Sequence, residues 1–256
     1  MDTLILKLVA TPVLIGVATL IGRRWGQAIG GWLVGLPLTS APIAFFLALD
    51  HGTQFAADAA GGSLLGVAAE SSFCIAYAAC ARRAGWPGAL LAGTCTFAAA
   101  AAVLSSLPPL SRPALVLLPL SVIVLALYVT PRFRPGTPIA SAPRWDLAAR
   151  MIATTTLVVG LTAAAGRLGP ELSGIVATYP LFASVLAVFG HRAFGADAAL
   201  NVLRGLLLGL FSFAAFFVVL GAAIVPFGIA EAFALATLAA LAAQGLSLQV
   251  VRRGLR

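Results

Sequence analysis

Two ionisable side chains lie inside long apolar stretches of the sequence, where their presence calls for a chemical explanation. Glu70 lies in GVAAESSFC and Arg204 lies in NVLRGLLLG. If these stretches cross a bilayer, a charge at its centre costs at least about 2.5–3.5 kcal/mol, so each side chain needs a partner or a wet cavity. A carboxyl group in such surroundings is suited to taking up and releasing a proton. A guanidinium there is suited to binding an anionic group.

The depths of the two side chains predict a direct contact. Counted from helix starts near residues 58 and 197, Glu70 is ~18 Å from one face and Arg204 is ~10–12 Å from the other. In a bilayer core about 30 Å thick, ~18 Å from one face is ~12 Å from the other, so the two side chains are at a similar depth. An ion pair between the third and eighth helices is therefore predicted. For Arg204, snorkelling of the side chain to the headgroups is the alternative. The shorter Glu70 side chain cannot reach that far, which favours a cavity-facing position.

Prolines interrupt two apolar stretches at comparable places. The first reads GGWLVGLPLTSAPIAFF, where Pro37 lacks an N–H and clashes with the preceding turn, and Pro180 does the same in the second. The carbonyls that such a break frees need hydroxyl groups or a ligand as partners. A static kink that shapes helix packing is the alternative. The predicted substrate-binding residues are those of the two breaks and the two ionisable residues: Gly35, Pro37, Thr39, Ser40, Glu70, Thr178, Tyr179, Pro180, Ser184 and Arg204.

The elements that position these residues are transmembrane helices. Of the 256 residues, 61% are hydrophobic and 9% are charged, and the mean hydropathy is +1.05. Soluble domains carry about 25% charged residues, so soluble classes are excluded, and the net charge of +8 reflects loops rather than nucleic-acid binding. The apolar blocks have the length of a membrane span. Nine spans are predicted, at 3–22, 27–49, 58–81, 87–107, 113–130, 147–166, 170–190, 197–223 and 228–251.

The basic residues predict the orientation of these spans. With nine crossings, twelve arginines fall on one side, and Lys7, Arg112 and Arg167 fall on the other. The twelve are Arg23, Arg24, Arg82, Arg83, Arg132, Arg134, Arg144, Arg150, Arg192, Arg252, Arg253 and Arg256. Short cytoplasmic loops collect basic residues. We therefore expect a multi-pass protein of the inner (plasma) membrane, with its N-terminus outside and its C-terminus in the cytoplasm.

The chain also resembles itself at an offset of 143 residues. Gly31, Pro37 and Phe46 match residues of the same type at 174, 180 and 189, and FAADAA at 55–60 resembles FGADAA at 194–199. Asp58 and Asp197 in these segments are predicted to start helices as N-caps. The fold class is therefore an all-α bundle of two four-helix repeats, 1–107 and 147–256. Residues 108–146 supply one linking helix and a hinge loop, and this odd crossing inverts the second repeat, as in secondary transporters.

Each half resembles the GlpM-like small bacterial membrane proteins. The likeness lies near 30–80 and 173–222, in a Gly–apolar–Pro second span and a short charged turn before the third. The second copy has Thr178-Tyr179-Pro180 where the first has Gly35-Leu36-Pro37. The resemblance implies an inner-membrane protein and an association with exopolysaccharide production. It implies no chemistry for named residues.

These features favour a small secondary carrier of unknown substrate, with proton coupling through Glu70 as an option. The alternative is a non-transport accessory protein of envelope polysaccharide or lipid assembly. An enzyme is not expected, since no cluster of His, Ser and carboxylate residues stands where water or metal could be activated. No cofactor or metal is predicted. The expected partners are membrane lipids and a small-molecule or lipid-linked substrate, without nucleic acid, and a homodimer is left open.

Overall fold

The structure, a computed structural model, describes residues 2–38, 40–108, 110–132, 145–156 and 179–254. Within these ranges the regular elements are all helices, which confirms the predicted all-α class. Nine helices are described: α1 Asp2–Trp25, α2 Gln27–Val34, α3 Ser40–His51, α4 Thr53–Ser105, α5 Arg112–Val129, α6 145–156, α7 Leu181–Phe194, α8 Ala196–Phe227 and α9 Ile229–Gly254.

The lengths and apolar faces of these helices are those of a helical membrane protein. Among the described residues, four helical segments are long and apolar enough to cross a bilayer: Thr53–Ser105, Arg112–Val129, Ala196–Phe227 and Ile229–Val251. Large apolar side chains such as Leu117, Tyr128 and Leu246 are exposed on the outer surface. Water disfavours such a surface, whereas hydrocarbon tails solvate it.

Helix α4 is a hairpin of two helices joined without a loop. At 53 residues a straight helix would be ~80 Å long, far more than the ~30 Å of a bilayer core. Gly85 interrupts it with φ 62° and ψ −173°, a conformation that side chains with a Cβ avoid. The chain reverses there, so that Gly93 packs against the ring of Phe73. The two halves correspond to the predicted third and fourth spans.

Glycine makes the other sharp joints as well. Gly52 lies between α3 and α4, Gly195 between α7 and α8, and Gly228 between α8 and α9, with φ of 88°, 85° and 88°. The helices therefore begin at these glycines. Asp58 lies in the sixth position of α4 and Asp197 in the second of α8. The prediction that these two aspartates are N-caps is wrong, because Gly52 and Gly195, which lie six and two residues earlier, are the N-cap residues.

The predicted break in the second span is confirmed. Helix α2 ends at Val34 and α3 begins at Ser40, with buried Pro37 between them. Pro180 likewise precedes the first residue of α7. The first part of the predicted seventh span and the second half of the sixth lie outside the described residues.

Helices α2 and α8 approach each other at backbone distance. A Cβ added at Gly31 would overlap the carbonyl group of Val202, and one at Gly205 would overlap that of Ala28. One turn further along, Gly35 and Gly209 lie against each other. Two small-xxx-small pairs thus interlock, which is the usual way in which helices pack closely in a membrane. This joint holds the broken second span against the centre of the bundle.

Candidate functional site

A cavity of about 60 Å³ lies where the break between α2 and α3 and the start of α7 meet α4 and α8. Its polar lining consists of Ser40 at the start of α3, Glu70 on α4, and Tyr179 with Pro180 before α7. Apolar side chains of α2, α7 and α8 complete the wall. A water molecule needs about 10–15 Å³ of such volume, so the cavity has room for a few waters or a small charged group. The predicted neighbours Ser40, Glu70, Tyr179 and Pro180 are brought together.

Glu70 faces this cavity from the middle of the first half of α4. Among the described residues it forms no ion pair and no hydrogen bond. It is 15 residues from Gly85 and 18 from Gly52, or ~22 and ~27 Å along the helix. The side chain is therefore near the middle of this helical segment, and five residues farther from its start than the sequence predicted, because α4 begins at Thr53 rather than at residue 58.

Arg204 does not pair with Glu70, so the predicted ion pair is wrong. The Arg204 Nη1 atom donates to the carbonyl oxygens of Leu127 and Thr130, both at 2.8 Å. These carbonyls are at the C-terminal end of α5, where helix C–O groups lack partners and a cation is favoured. Arg204 is only nine residues from Gly195, about 13 Å from the end of α8. It consequently stabilises the end of α5, well away from the level of Glu70.

Tyr179 is fixed by contacts with the second half of α4. Its hydroxyl lies 2.9 Å from the Thr94 Oγ1 atom. The ring packs edge-on against Phe97, with centroids 5.4 Å apart, and against Phe73 at 6.0 Å. The tyrosine thus closes one side of the cavity as a positioned aromatic wall.

Gly35, Pro37 and Ser184 are not among the residues that line this cavity. Gly35 contacts Gly209 in the joint between α2 and α8. Pro37 is buried in the break, and the Ser184 hydroxyl donates to the carbonyl of Leu181 at 2.9 Å. These three residues shape the two breaks. Thr39 and Thr178 lie outside the described residues.

One residue that was not predicted, Gln244, forms a hydrogen bond with the backbone next to the break in the second span. The Gln244 Nε2 atom of α9 donates to the carbonyl oxygen of Trp32 at 3.0 Å. The Trp32 indole donates to the Ser247 hydroxyl at 2.8 Å. Gln244 thus adds a side-chain donor to the Trp32 carbonyl near the end of α2, which also accepts from the Gly35 N–H at 3.3 Å. The signal in the sequence was the polar amide side chain of Gln244 within an otherwise apolar predicted span.

Charged side chains form ion pairs at one end of the bundle. Asp146 accepts from both Arg23 at 2.7 Å and Arg150 at 2.8 Å. Arg82 and Asp197 form a further pair at 2.8 Å. These three arginines are among those predicted to be cytoplasmic, and the contacts place them in two clusters. Orientation in a membrane stays a prediction.

An apolar groove of about 150 Å³ adjoins the cavity between α1 and α7. Three residues line both spaces, namely Val34, Leu36 and Phe182. The far wall of the groove includes Val17 and Leu38, which are 44% and 43% exposed. The groove therefore opens onto the outer surface of the bundle.

Comparison with known proteins adds no assignment for this site. We found no protein family, curated protein or solved structure that matches this chain. Within the ranges that the structure describes, no group of three or more His, Cys, Asp or Glu residues is arranged to hold a metal ion. The site must therefore be interpreted from its own geometry.

Proposed function

We propose that the chain is a small secondary carrier whose central site is the cavity at Glu70. The observation that carries the proposal is that one cavity touches the break between α2 and α3, the proline before α7 and a carboxyl group without a described partner. Breaks at corresponding positions of two repeats, converging near the midplane, are the usual setting of a transporter site. Polar groups at this depth are costly, and a functional role explains why the cost is tolerated.

Inverted repeats are part of this proposal, and the helix joints support them. Gly52 and Gly195 are 143 positions apart, as are Gly85 and Gly228, and all four have φ between 62° and 88°. The buried faces of the last helix of each half follow the same offset. Ala89, Gly93, Phe97 and Ala101 are buried in the first half; Ala232, Ala236, Ala240 and Gln244 are buried in the second.

The lining of the cavity follows this offset as well. Leu36 and Tyr179 both line it, as do Ser40 and Ala183, and Glu70 and Phe213. Members of each pair are 143 positions apart. Residues related by a two-fold axis can meet only near that axis, so the cavity is where an axis between the two halves would pass. Alternation of the halves around such a point would expose the site to each side in turn.

Glu70 is the proposed proton site of the carrier. Its counterpart at the offset is Phe213, so the cavity has a single carboxyl group rather than a symmetric pair. Proton uptake would neutralise the carboxyl group. The carrier could then change between its two states without an uncompensated charge in the cavity. Release would restore the anion when the cavity opens to water.

Access to the cavity from both sides tests the carrier without knowledge of its substrate. We would replace Cys74, Cys80 and Cys95 and introduce Ser40→Cys, then add a small impermeant thiol reagent from either side of oriented vesicles. The carrier predicts labelling from both sides. Ser212→Cys is the control, because Ser212 is fully buried and its hydroxyl bonds to Ala240 outside the cavity. Labelling of Ser40→Cys from one side only, or from neither, contradicts alternating access.

Proton movement tests the role of Glu70. In vesicles that contain a pH-sensitive dye, a panel of cationic, anionic and neutral solutes should reveal a solute gradient that drives proton flux. Glu70→Gln should abolish that flux while the protein remains folded and inserted. Glu231→Gln is the matched control, since Glu231 is exposed at the start of α9. Coupled flux that survives Glu70→Gln rules out this proton site.

The accessory protein of envelope assembly is the second candidate, and it depends on the GlpM-like resemblance. A bundle that only holds partners together needs no midplane cavity, so the cavity favours the carrier. A closed site in the labelling experiment would favour the accessory function instead.

A further inference from the structure

The cavity and the adjoining groove form one path from the bilayer to Glu70. The groove is lined by apolar side chains of α1, α2 and the break, including Leu14 and Leu33. It shares Val34, Leu36 and Phe182 with the cavity. A molecule in this path would have an apolar wall over most of its length and polar groups at its inner end only.

The inner end of the path favours positive charge. Glu70 is the one formally charged residue among the described residues that line either space, and no Lys, Arg or His is included there. Arg204 is directed to the end of α5 and does not balance this carboxylate. A cation is therefore the natural counter-charge, and an anion would meet an uncompensated carboxylate.

Aromatic rings strengthen the preference for an organic cation. Tyr179, Phe182 and Phe213 line the cavity around Glu70. An aromatic face attracts a cation more strongly when the cation is desolvated, and cages of aromatic rings favour substituted ammonium groups. A metal cation instead needs several oxygen ligands, whereas the described lining offers one carboxylate and two hydroxyls.

We infer that this site takes a lipophilic organic cation, an amine or ammonium with an apolar body that enters from the bilayer between α1 and α7. The ammonium group lies beside Glu70 and the apolar body lies in the groove. That the cation is transported rests on the proposed carrier function; its binding does not. Competition between proton and cation for one carboxylate would couple the two flows.

Binding to the whole protein in neutral phosphatidylcholine nanodiscs tests this inference. The probe is benzyltrimethylammonium, a permanent cation with one aromatic body. Tetramethylammonium retains the head without the body, and phenylmethanesulfonate retains the body with the opposite charge. We expect saturable binding of benzyltrimethylammonium, at least tenfold weaker binding of tetramethylammonium, and none of the sulfonate. Equal binding of the sulfonate, or no saturable binding of the benzyl cation, overturns the inference.

Two variants locate the probe. Glu70→Gln should weaken benzyltrimethylammonium at least tenfold. Val17→Trp should fill the groove and weaken the benzyl cation with little effect on tetramethylammonium. Val13→Trp is the matched control, because Val13 is exposed on the same helix without lining the groove. A decrease with Val13→Trp equal to that with Val17→Trp places the probe elsewhere and overturns the path.

A measurement on the unaltered protein guards against a Glu70 variant that does not fold. A hydrophobic carbodiimide should modify Glu70, detected by mass spectrometry, and benzyltrimethylammonium should slow that modification. Modification that the cation does not slow contradicts binding at Glu70. Saturable, Glu70-dependent binding with Ser40→Cys labelled from one side would support the binding site and reject the carrier. Labelling from both sides without cation binding would do the reverse.

Discussion

Arg82 on α4 and Asp197 on α8 form an ion pair at one end of the bundle, with Nη2 and Oδ1 2.8 Å apart. The pair connects the last turn before Gly85 to the first turn of α8. At the 143-residue offset their counterparts are Val225 and Gln54, which cannot form an ion pair. In the proposed carrier, an ion pair whose offset counterparts cannot form one would favour one of the two alternating states.

Loss of this ion pair should open the Arg82 end of the site. Arg82→Ala should raise the rate at which Ser40→Cys is labelled from that end. Because the two side chains are 47% and 30% exposed, the pair contributes less than ~1 kcal/mol, and the increase should be at most about fivefold. Arg83→Ala serves as the neighbouring control. The same increase with Arg83→Ala, or none with Arg82→Ala, would argue against this effect of the ion pair.

The glycine joint between α2 and α8 should be intolerant of a single methyl group. Gly205→Ala should lower the thermal midpoint in detergent, since the new Cβ would overlap the backbone of Ala28 and overpacking costs about 1–3 kcal/mol. Gly245→Ala is the control, because Gly245 is exposed in α9 with nothing nearby. Its midpoint should be unchanged or raised, as alanine favours a helix by about 0.5–1 kcal/mol. Equal effects at the two positions would contradict the close approach.

Glu70 and Arg204 should act independently on stability. A double-mutant cycle of Glu70→Gln and Arg204→Gln, followed by thermal or denaturant unfolding, should be additive within about 0.5 kcal/mol. Arg204→Gln alone should destabilise, because its charged hydrogen bonds to the end of α5 contribute about 1.5–3 kcal/mol each. A coupling energy well above the additive limit would indicate a direct pair instead.

The orientation predicted from the arginines can be measured directly. A reporter fused after residue 140 should be cytoplasmic, and a tag at the N-terminus should be accessible from outside. Both positions follow from nine crossings and the excess of arginine in cytoplasmic loops. An N-terminus on the same side as the C-terminus would remove the inverted repeat and with it the symmetric account of the site.

Local chemistry made parts of this fold predictable from sequence. Pro37 lacks a backbone N–H and clashes with a preceding helical turn, and α2 ends three residues before it. The position of Glu70 depended on where α4 begins, and a five-residue error moves a side chain by ~7 Å. The hydrogen-bond partners of Arg204 could not be predicted, because the sequence does not show which neighbouring helix presents free carbonyl groups to it. Gly52 and Gly195 lie in the predicted loops 50–57 and 191–196, where the sequence does not show that one glycine with positive φ makes the turn between two helices.

The backbone joint between α2 and α8 has a consequence for how the protein is made. Gly31 precedes Gly205 by 174 residues, so at 5–20 residues per second the ribosome needs roughly 10 to 35 s to supply the second surface. During that interval α2 is in the bilayer with its glycine face covered by lipid or by the insertion machinery. The central site can therefore assemble only late in synthesis, after most of the spans have been delivered. A nascent chain arrested before α8 should be a substrate for membrane quality-control proteases.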